Sequence, residues 1–108
     1  MEISKELLKG HIDMLVLSLI SKRDMYGYEI VKKVRIESAG AFELKEGTLY
    51  LALKRIEKQK LVTSYWGNEQ GSGGRRKYYQ ITDKGKNELE QKVSEWEFIK
   101  KNIDTFLK

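Results

Sequence analysis

The sequence predicts a mainly α fold with one β-hairpin, drawn out at its end into a long helix. Three observations carry this prediction. Apolar residues recur at three- and four-residue spacing in separate stretches, which is the helical period. Two β-branched and aromatic runs, 62–66 and 77–82, flank a glycine-rich segment, as the arms of a hairpin do. The last stretch carries Leu89, Val93, Trp96, Ile99, Ile103 and Phe106 at steps of 4, 3, 3, 4 and 3, close to a coiled-coil seam.

Taken in order, residues 4–20 read as a first helix. Ser4 can cap it, and Leu7, Leu8, Ile12, Leu15, Val16, Leu19 and Ile20 repeat at helical spacing. Met14 and Leu17 widen the stripe, so this helix is expected to face two neighbours. A break at 21–24 precedes a second helix over 25–34, whose apolar face is Ile30, Val31 and Val34. Gly40 marks another break, and Leu44 reads as a brief strand or an extended link. A third helix spans 47–60, with Leu49, Leu53 and Ile56 on one side and Leu61 closing its end. It has no Pro, and no Gly after its first residue, so nothing interrupts it. Then come the two strands, joined by a tip, 67–76, that ends in Arg75 and Arg76. Thr82 and Asp83 can cap a final helix that runs to the C-terminus. Three helices followed by a hairpin is the winged helix-turn-helix order. The expected organisation is a winged-helix domain over 1–82 and a dimerisation helix over 83–108.

Composition narrows the function. The chain has 108 residues, 40% of them apolar and 34% charged, which fits one small globular domain. A chain this short buries a modest share of its surface, so a second chain covering apolar residues would help it. It has no Cys, which excludes disulfides, iron–sulfur clusters and thiol chemistry and fits a cytoplasmic location. The longest uncharged apolar run, 14–20, falls far short of the roughly 18 residues of a membrane span. Acidic residues precede that run, which is the wrong flank for a secretory signal. No membrane partner is expected.

The net charge is +5, and it is concentrated. Residues 21–86 hold 15 Lys and Arg against 8 Asp and Glu, whereas the remaining ends hold 6 against 8. A basic middle points to a polyanion, although Lys and Arg also solvate ordinary helix faces. No catalytic site is legible. His11 is the sole histidine, so zinc is not expected, and Ser and Asp residues show no triad spacing. Gly71-Ser72-Gly73-Gly74 lacks the following lysine and helix of a phosphate loop. Neither a cofactor nor an enzyme is expected.

Two elements carry the binding chemistry instead. A helix that enters a major groove needs small or polar residues at its start and cations further along. Gly47, Thr48, Tyr50, Lys54 and Arg55 match, though an ordinary amphipathic surface helix shares this pattern. In the hairpin, Arg75, Arg76 and Lys77 adjoin a glycine-rich tip that can approach a sugar-phosphate backbone closely. A solvated turn would also carry such charges, and it is the order after the third helix that favours nucleic acid. Trp96 on the final seam is either packing or a flat surface for an aromatic ligand.

Three motifs then support a family resemblance. Tyr26-Gly27-Tyr28-Glu29-Ile30, Glu46-Gly47-Thr48-Leu49-Tyr50 followed by Leu53, Arg55 and Glu57, and Gly73-Gly74-Arg75-Arg76-Lys77-Tyr78-Tyr79 followed by Thr82 and Gly85, occur in that order. The chain resembles the PadR-like transcriptional repressors, in their short single-domain subfamily. The resemblance implies a homodimer that binds double-stranded DNA at promoter operators, with Tyr26 added to the contacts above. One position departs from the family pattern: Leu51 stands where proline often follows the Thr-Leu-Tyr step, and leucine keeps the helix.

Ser94-Glu95-Trp96 is further similar to the members that bind multiple drugs, in which paired tryptophans flank a pore between the final helices. That similarity implies a planar aromatic effector stacked on Trp96, with Leu7 and Met14 lining the pore. Asp13 and Glu95 would favour a cationic ligand there, and Lys92 would oppose it. Two alternatives stand beside this reading: a regulator without an effector, whose Trp96 is dimer core, and a winged helix that serves only protein contacts.

Overall fold

Three helices in the first half of the chain turn their apolar stripes toward one another, and that convergence makes the core. The computed structural model describes residues 1, 3–69 and 74–108; the hairpin tip 70–73, with most of the segment weighed against a phosphate loop, and Glu2 lie outside the described residues. The element order is α1 (Lys5–Lys9), α2 (Ile12–Lys22), β1 (Met25–Tyr26), α3 (Gly27–Glu37), α4 (Glu46–Lys58), β2 (Val62–Trp66), β3 (Lys77–Ile81) and α5 (Asp83–Leu107). The core joins Val16, Leu17 and Ile20 of α2, Ile30 and Val34 of α3, and Leu49, Ala52, Leu53 and Ile56 of α4. Leu44, Leu61, Val62 and Tyr79 close it. Each large aliphatic side chain buried in this way contributes about 1.5–3 kcal/mol.

The mainly helical, winged fold matches the sequence reading, with two corrections. The expected first helix is two helices. Ser4 caps α1 by accepting the Leu7 N–H at 3.3 Å, but the chain leaves the helix at Gly10 and re-enters it after His11. Leu8 and Ile12 lie four residues apart on either side of the break and are both buried, so the apolar period runs straight across it. The second correction is β1. Met25 and Tyr26, expected to open a helix, pair antiparallel with Tyr79 and Tyr78 of β3 instead. The sheet therefore has three strands in the order β1-β3-β2, and α3 starts and ends later than expected. Leu44 is an irregular link, buried against the core.

The end of α4 directs the chain into the hairpin. Lys60 takes a left-handed conformation, φ 63°. Its N–H donates to the Glu57 carbonyl at 2.9 Å, and the Leu61 N–H donates to the Ile56 carbonyl at 2.9 Å. This paired pattern is the Schellman closure, and it drops Leu61 into the core. β2 and β3 then pair in register from Val62 opposite Ile81 to Trp66 opposite Lys77. Thr82 caps α5, its hydroxyl oxygen accepting the Gly85 N–H at 3.0 Å. The same hydroxyl donates to the Lys60 carbonyl at 2.7 Å, which ties the start of α5 to the end of α4.

The first turns of α5 pack on α2, with Leu89 partly buried. From Val93 on every residue of the helix is exposed, although the Trp96 ring meets His11. Gly85 is its only buried residue, and Val93, Trp96, Phe98, Ile99, Ile103, Phe106 and Leu107 are exposed. Among the described residues no helix is long and apolar enough to cross a membrane.

Candidate nucleic-acid interface

The phase of α4 decides which of its residues can meet a partner. Leu49, Ala52, Leu53 and Ile56 are buried and fix the inward side. At 100° per residue, Gly47, Leu51, Lys54 and Lys58 then point outward, and all four are exposed. Tyr50 and Glu57 lie on the flank toward the wing, and Ser64 of β2 donates to the Glu57 carboxylate at 2.5 Å. Thr48 and Arg55 lie on the opposite flank, where they border a hollow shared with Asp13 and Lys92.

That placement gives Arg55 a partner within the chain. Its Nε donates to Asp13 Oδ2 at 3.1 Å and its Nη2 to Oδ1 at 2.5 Å, a fork-to-carboxylate pair. This contact also holds the guanidinium's pKa above its ordinary value. Arg55 is thus turned toward α2 and its charge is matched, whereas Lys54 stands outward with no ion pair among the described residues. Asp13, expected to lend negative charge to a ligand pore, has that charge compensated by the same bond.

On the wing side, Tyr26, Gly27, Glu46, Gly47, Tyr50, Arg76 and Lys77 line one open cleft between the starts of α3 and α4 and the base of the hairpin, with Tyr28, Leu49, Leu53 and Tyr79. Here the structure brings together five of the nine residues singled out for DNA, while Thr48, Lys54, Arg55 and Arg75 lie outside the cleft. Neither Tyr26 nor Lys45, the N-cap residues of α3 and α4, accepts a side-chain hydrogen bond from its helix. The first N–H groups of both helices are left for an incoming anion, which the positive ends of the helices also favour. Glu46 in the first turn of α4 works against this, as does Glu29 in the first turn of α3, which is paired with Arg23.

The wing is fastened from beneath by aromatic rings. The Arg76 guanidinium lies over the Tyr26 ring, 4.6 Å from its centroid. Tyr78 meets Tyr26 edge-on at 5.5 Å and stacks on Tyr65 at 5.7 Å. The Tyr78 hydroxyl donates to Glu69 at 2.5 Å, a bond that lowers the Glu69 pKa. The Tyr65 hydroxyl donates to Asp24, and this contact first, then desolvation, pushes the phenol up to about 12. Arg75 donates through Nε to the Gly67 carbonyl at 2.9 Å, so it braces the hairpin. Lys77 reaches over the Tyr79 ring at 5.7 Å. The cationic tips of Arg76 and Lys77 are thus held over a rigid platform, where less side-chain freedom remains to be lost on binding.

The residues proposed for a ligand are split. Trp96 is 39% exposed, and its ring meets His11 edge-on at 5.1 Å. Leu7 is exposed on α1, and Met14 is half-buried on α2. Glu95 is exposed and accepts from Gln91 at 3.2 Å. Lys92 pairs with Glu88 at 3.8 Å. Sequence reasoning missed His11 as a partner of Trp96, since 85 positions separate them. The spacing 47, 51, 54, 58 also sets Leu51 and Lys58 on the outward side once the buried side of α4 is fixed.

Residues 16–91 match the family model described as the transcriptional regulator PadR-like family. A Lysinibacillus sphaericus protein described as uncharacterized is 39% identical over 105 residues, which cover 97% of this chain and 95% of that protein. The Escherichia coli transcriptional regulator YqjI is 27% identical over 87% of this chain, which spans only 43% of its length. Among solved structures, a transcriptional regulator from Clostridium thermocellum superposes with a TM-score of 0.89 at 43% identity, covering 98% of this chain and 99% of that one. A PadR family transcription regulator from Clostridium difficile superposes with a TM-score of 0.80 at 56% identity, covering 92% of this chain and all of the other.

Proposed function

The chain belongs to the PadR-like family of transcriptional regulators, and from that premise we propose that it binds operator DNA as a homodimer and represses by occupying promoters. The observation that carries this reading is the convergence of the α4 start, two uncapped helix N-termini and the wing cations Arg76 and Lys77 on one cleft. In it, α4 enters the major groove with Gly47, Tyr50 and Lys54 toward the bases, while Arg76 and Lys77 clamp the flanking backbone. Tyr26 supports the arginine and borders the same path, and Thr48 sits at the entering end of α4. Arg75 and Arg55 shape the surface through their internal bonds. Residues 83–108 serve as the dimerisation helix and set the distance between the two reading heads.

The test is a salt titration of duplex binding by fluorescence anisotropy, using a duplex selected from a random pool by the wild-type protein. Each phosphate neutralised steepens the dependence of log affinity on log salt by roughly 0.9. Arg76→Ala with Lys77→Ala removes four cations from a dimer. The double variant is expected to bind on the order of 100-fold more weakly and to lose roughly 3–4 from that slope. An unchanged slope would remove the wing from the interface. A protein that binds no duplex at low salt would be the protein-contact module instead.

A planar aromatic effector is a second element of the proposal, favoured by the half-exposed Trp96 ring on the seam expected to meet its symmetry copy. Leu7 and Met14 supply apolar surface near it. With Asp13 compensated by Arg55, attraction for a cationic ligand rests on Glu95 and is opposed by Lys92. Such a ligand releases DNA only if it binds the two head spacings with different affinity. A planar cationic dye is expected to quench tryptophan emission in the wild type and to bind at least about tenfold more weakly to Trp96→Ala, where only Trp66 reports. Equal binding by both would leave Trp96 as dimer packing and the regulator without this effector.

A further inference from the structure

We infer that Leu51 is a specificity-determining residue of α4, packing against the C5-methyl group of a thymine in the major groove. The inference rests on the DNA-binding reading above and names the base that the helix selects.

Leu51 is 63% exposed, although it lies in the middle of an amphipathic helix whose core face is complete without it. Its outward neighbours one turn away are Gly47 and Lys54. A helical side chain leans toward the N-terminus of its helix and covers the turn before its own Cα. For Leu51 that turn carries Gly47, which has no side chain, and a Cβ built there would meet nothing within 4 Å, the Leu51 side chain included; Leu51 leans toward Thr48 and Arg55 and borders the hollow they share. With no side chain at Gly47, the exposed isobutyl group of Leu51 is the leading apolar group on the outward side of α4. DNA-reading helices use this end to touch base edges.

The chemistry of the groove then selects the partner. Lys54 one turn on, with Arg76 and Lys77 on the cleft at the wing side of the helix, makes the surroundings complementary to a duplex. On the major-groove edges of the base pairs the thymine methyl is the one apolar group; the other positions offer hydrogen-bond donors and acceptors. Leucine can replace none of the water bonds it would strip from such atoms, so the edge of a G·C pair is penalised and a thymine is preferred. Proline at this position would present a shorter, more rigid apolar surface, whereas leucine reaches further into the groove.

The experiment uses the duplex selected from a random pool by the wild-type protein. Each thymine of a half-site is replaced in turn by deoxyuridine, which keeps the O4 acceptor and lacks the methyl. Affinities are measured for the wild type and for Leu51→Ala, with thermal melting to confirm an intact fold. One thymine per half-site is expected to matter to the wild type, with affinity falling about fourfold when its methyl is removed, the effect of one buried carbon. Leu51→Ala is expected to bind the thymine and deoxyuridine duplexes equally, with its salt slope unchanged. The inference is overturned if no thymine is sensitive, or if Leu51→Ala keeps the wild-type ratio. Failure to bind any duplex at low salt would overturn the DNA-binding reading itself, and this inference with it.

Discussion

Ile99→Asp combined with Ile103→Asp is expected to leave the protein monomeric, fully folded in its first 82 residues and unable to hold an operator. α5 spans about 37 Å at the usual helical rise, yet every residue from Val93 to its end is exposed, even Trp96, whose ring meets His11. Val93, Trp96, Ile99, Ile103 and Phe106 follow one another at steps of 3, 3, 4 and 3 and are all exposed, Ile103 at 52% and Phe106 at 87%. A continuous apolar seam of this length on a small chain calls for a cover, and a symmetric partner supplies one. Burying an isoleucine contributes about 2 kcal/mol, and twofold symmetry counts each twice, so the two substitutions remove on the order of 8 kcal/mol from dimerisation before charge repulsion is added. Light scattering coupled to gel filtration should report twice the 12.7 kDa chain mass for the wild type and the single mass for the variant. Operator affinity should fall at least about 100-fold, because each half-site must then be held without its tethered partner. A variant that stays dimeric at micromolar concentration would place the interface elsewhere.

Much of this architecture was legible because its signals are local. The period of α4, the β-branched arms of the hairpin and the Thr82 cap each depend on residues within a few positions of one another. What escaped depends on distant pairing or on a signal that masks itself. β1 exists because Met25 and Tyr26 meet Tyr79 and Tyr78, more than fifty positions away, and alone they continue the pattern of the helix that follows. The break at Gly10 is hidden because Leu8 and Ile12 keep the helical phase across it. The candidate site divides in the same way. Arg76, Lys77 and Tyr26 are legible as motif residues, and the structure sets Arg76 over the Tyr26 ring and all three on one cleft. The charge of Arg55 and its place on α4 are visible in the sequence. Its partner Asp13, 42 positions away, is not.

Gly85 shows how a motif position acquires a physical reason, and Gly85→Ala is expected to cost about 3 kcal/mol of stability. In the sequence it is, with Thr82, the exit of the wing motif. In the fold it lies in the first turn of α5, pressed on the chain where α4 hands over to β2. A Cβ at this position would sit 2.1 Å from the Leu61 carbonyl oxygen and 2.8 Å from Ile81 Cγ1. The carbonyl cannot yield, because it accepts the Thr82 N–H at 3.0 Å and its residue is fixed in the core by the turn at Lys60. The start of α5 would have to move by roughly an ångström, stretching the Thr82 hydroxyl bonds to Lys60 and to the Gly85 N–H. Alanine is the better helix former by about 1 kcal/mol, so local propensity predicts the opposite sign, and the clash outweighs it. Urea unfolding at matched protein concentration should show a lower midpoint with an unchanged slope. A loss below about 1 kcal/mol would mean that α5 can slide on the hairpin without resistance. The rigid joint would then be absent, and with it the means by which dimerisation along α5 fixes where each α4 and wing meet the DNA.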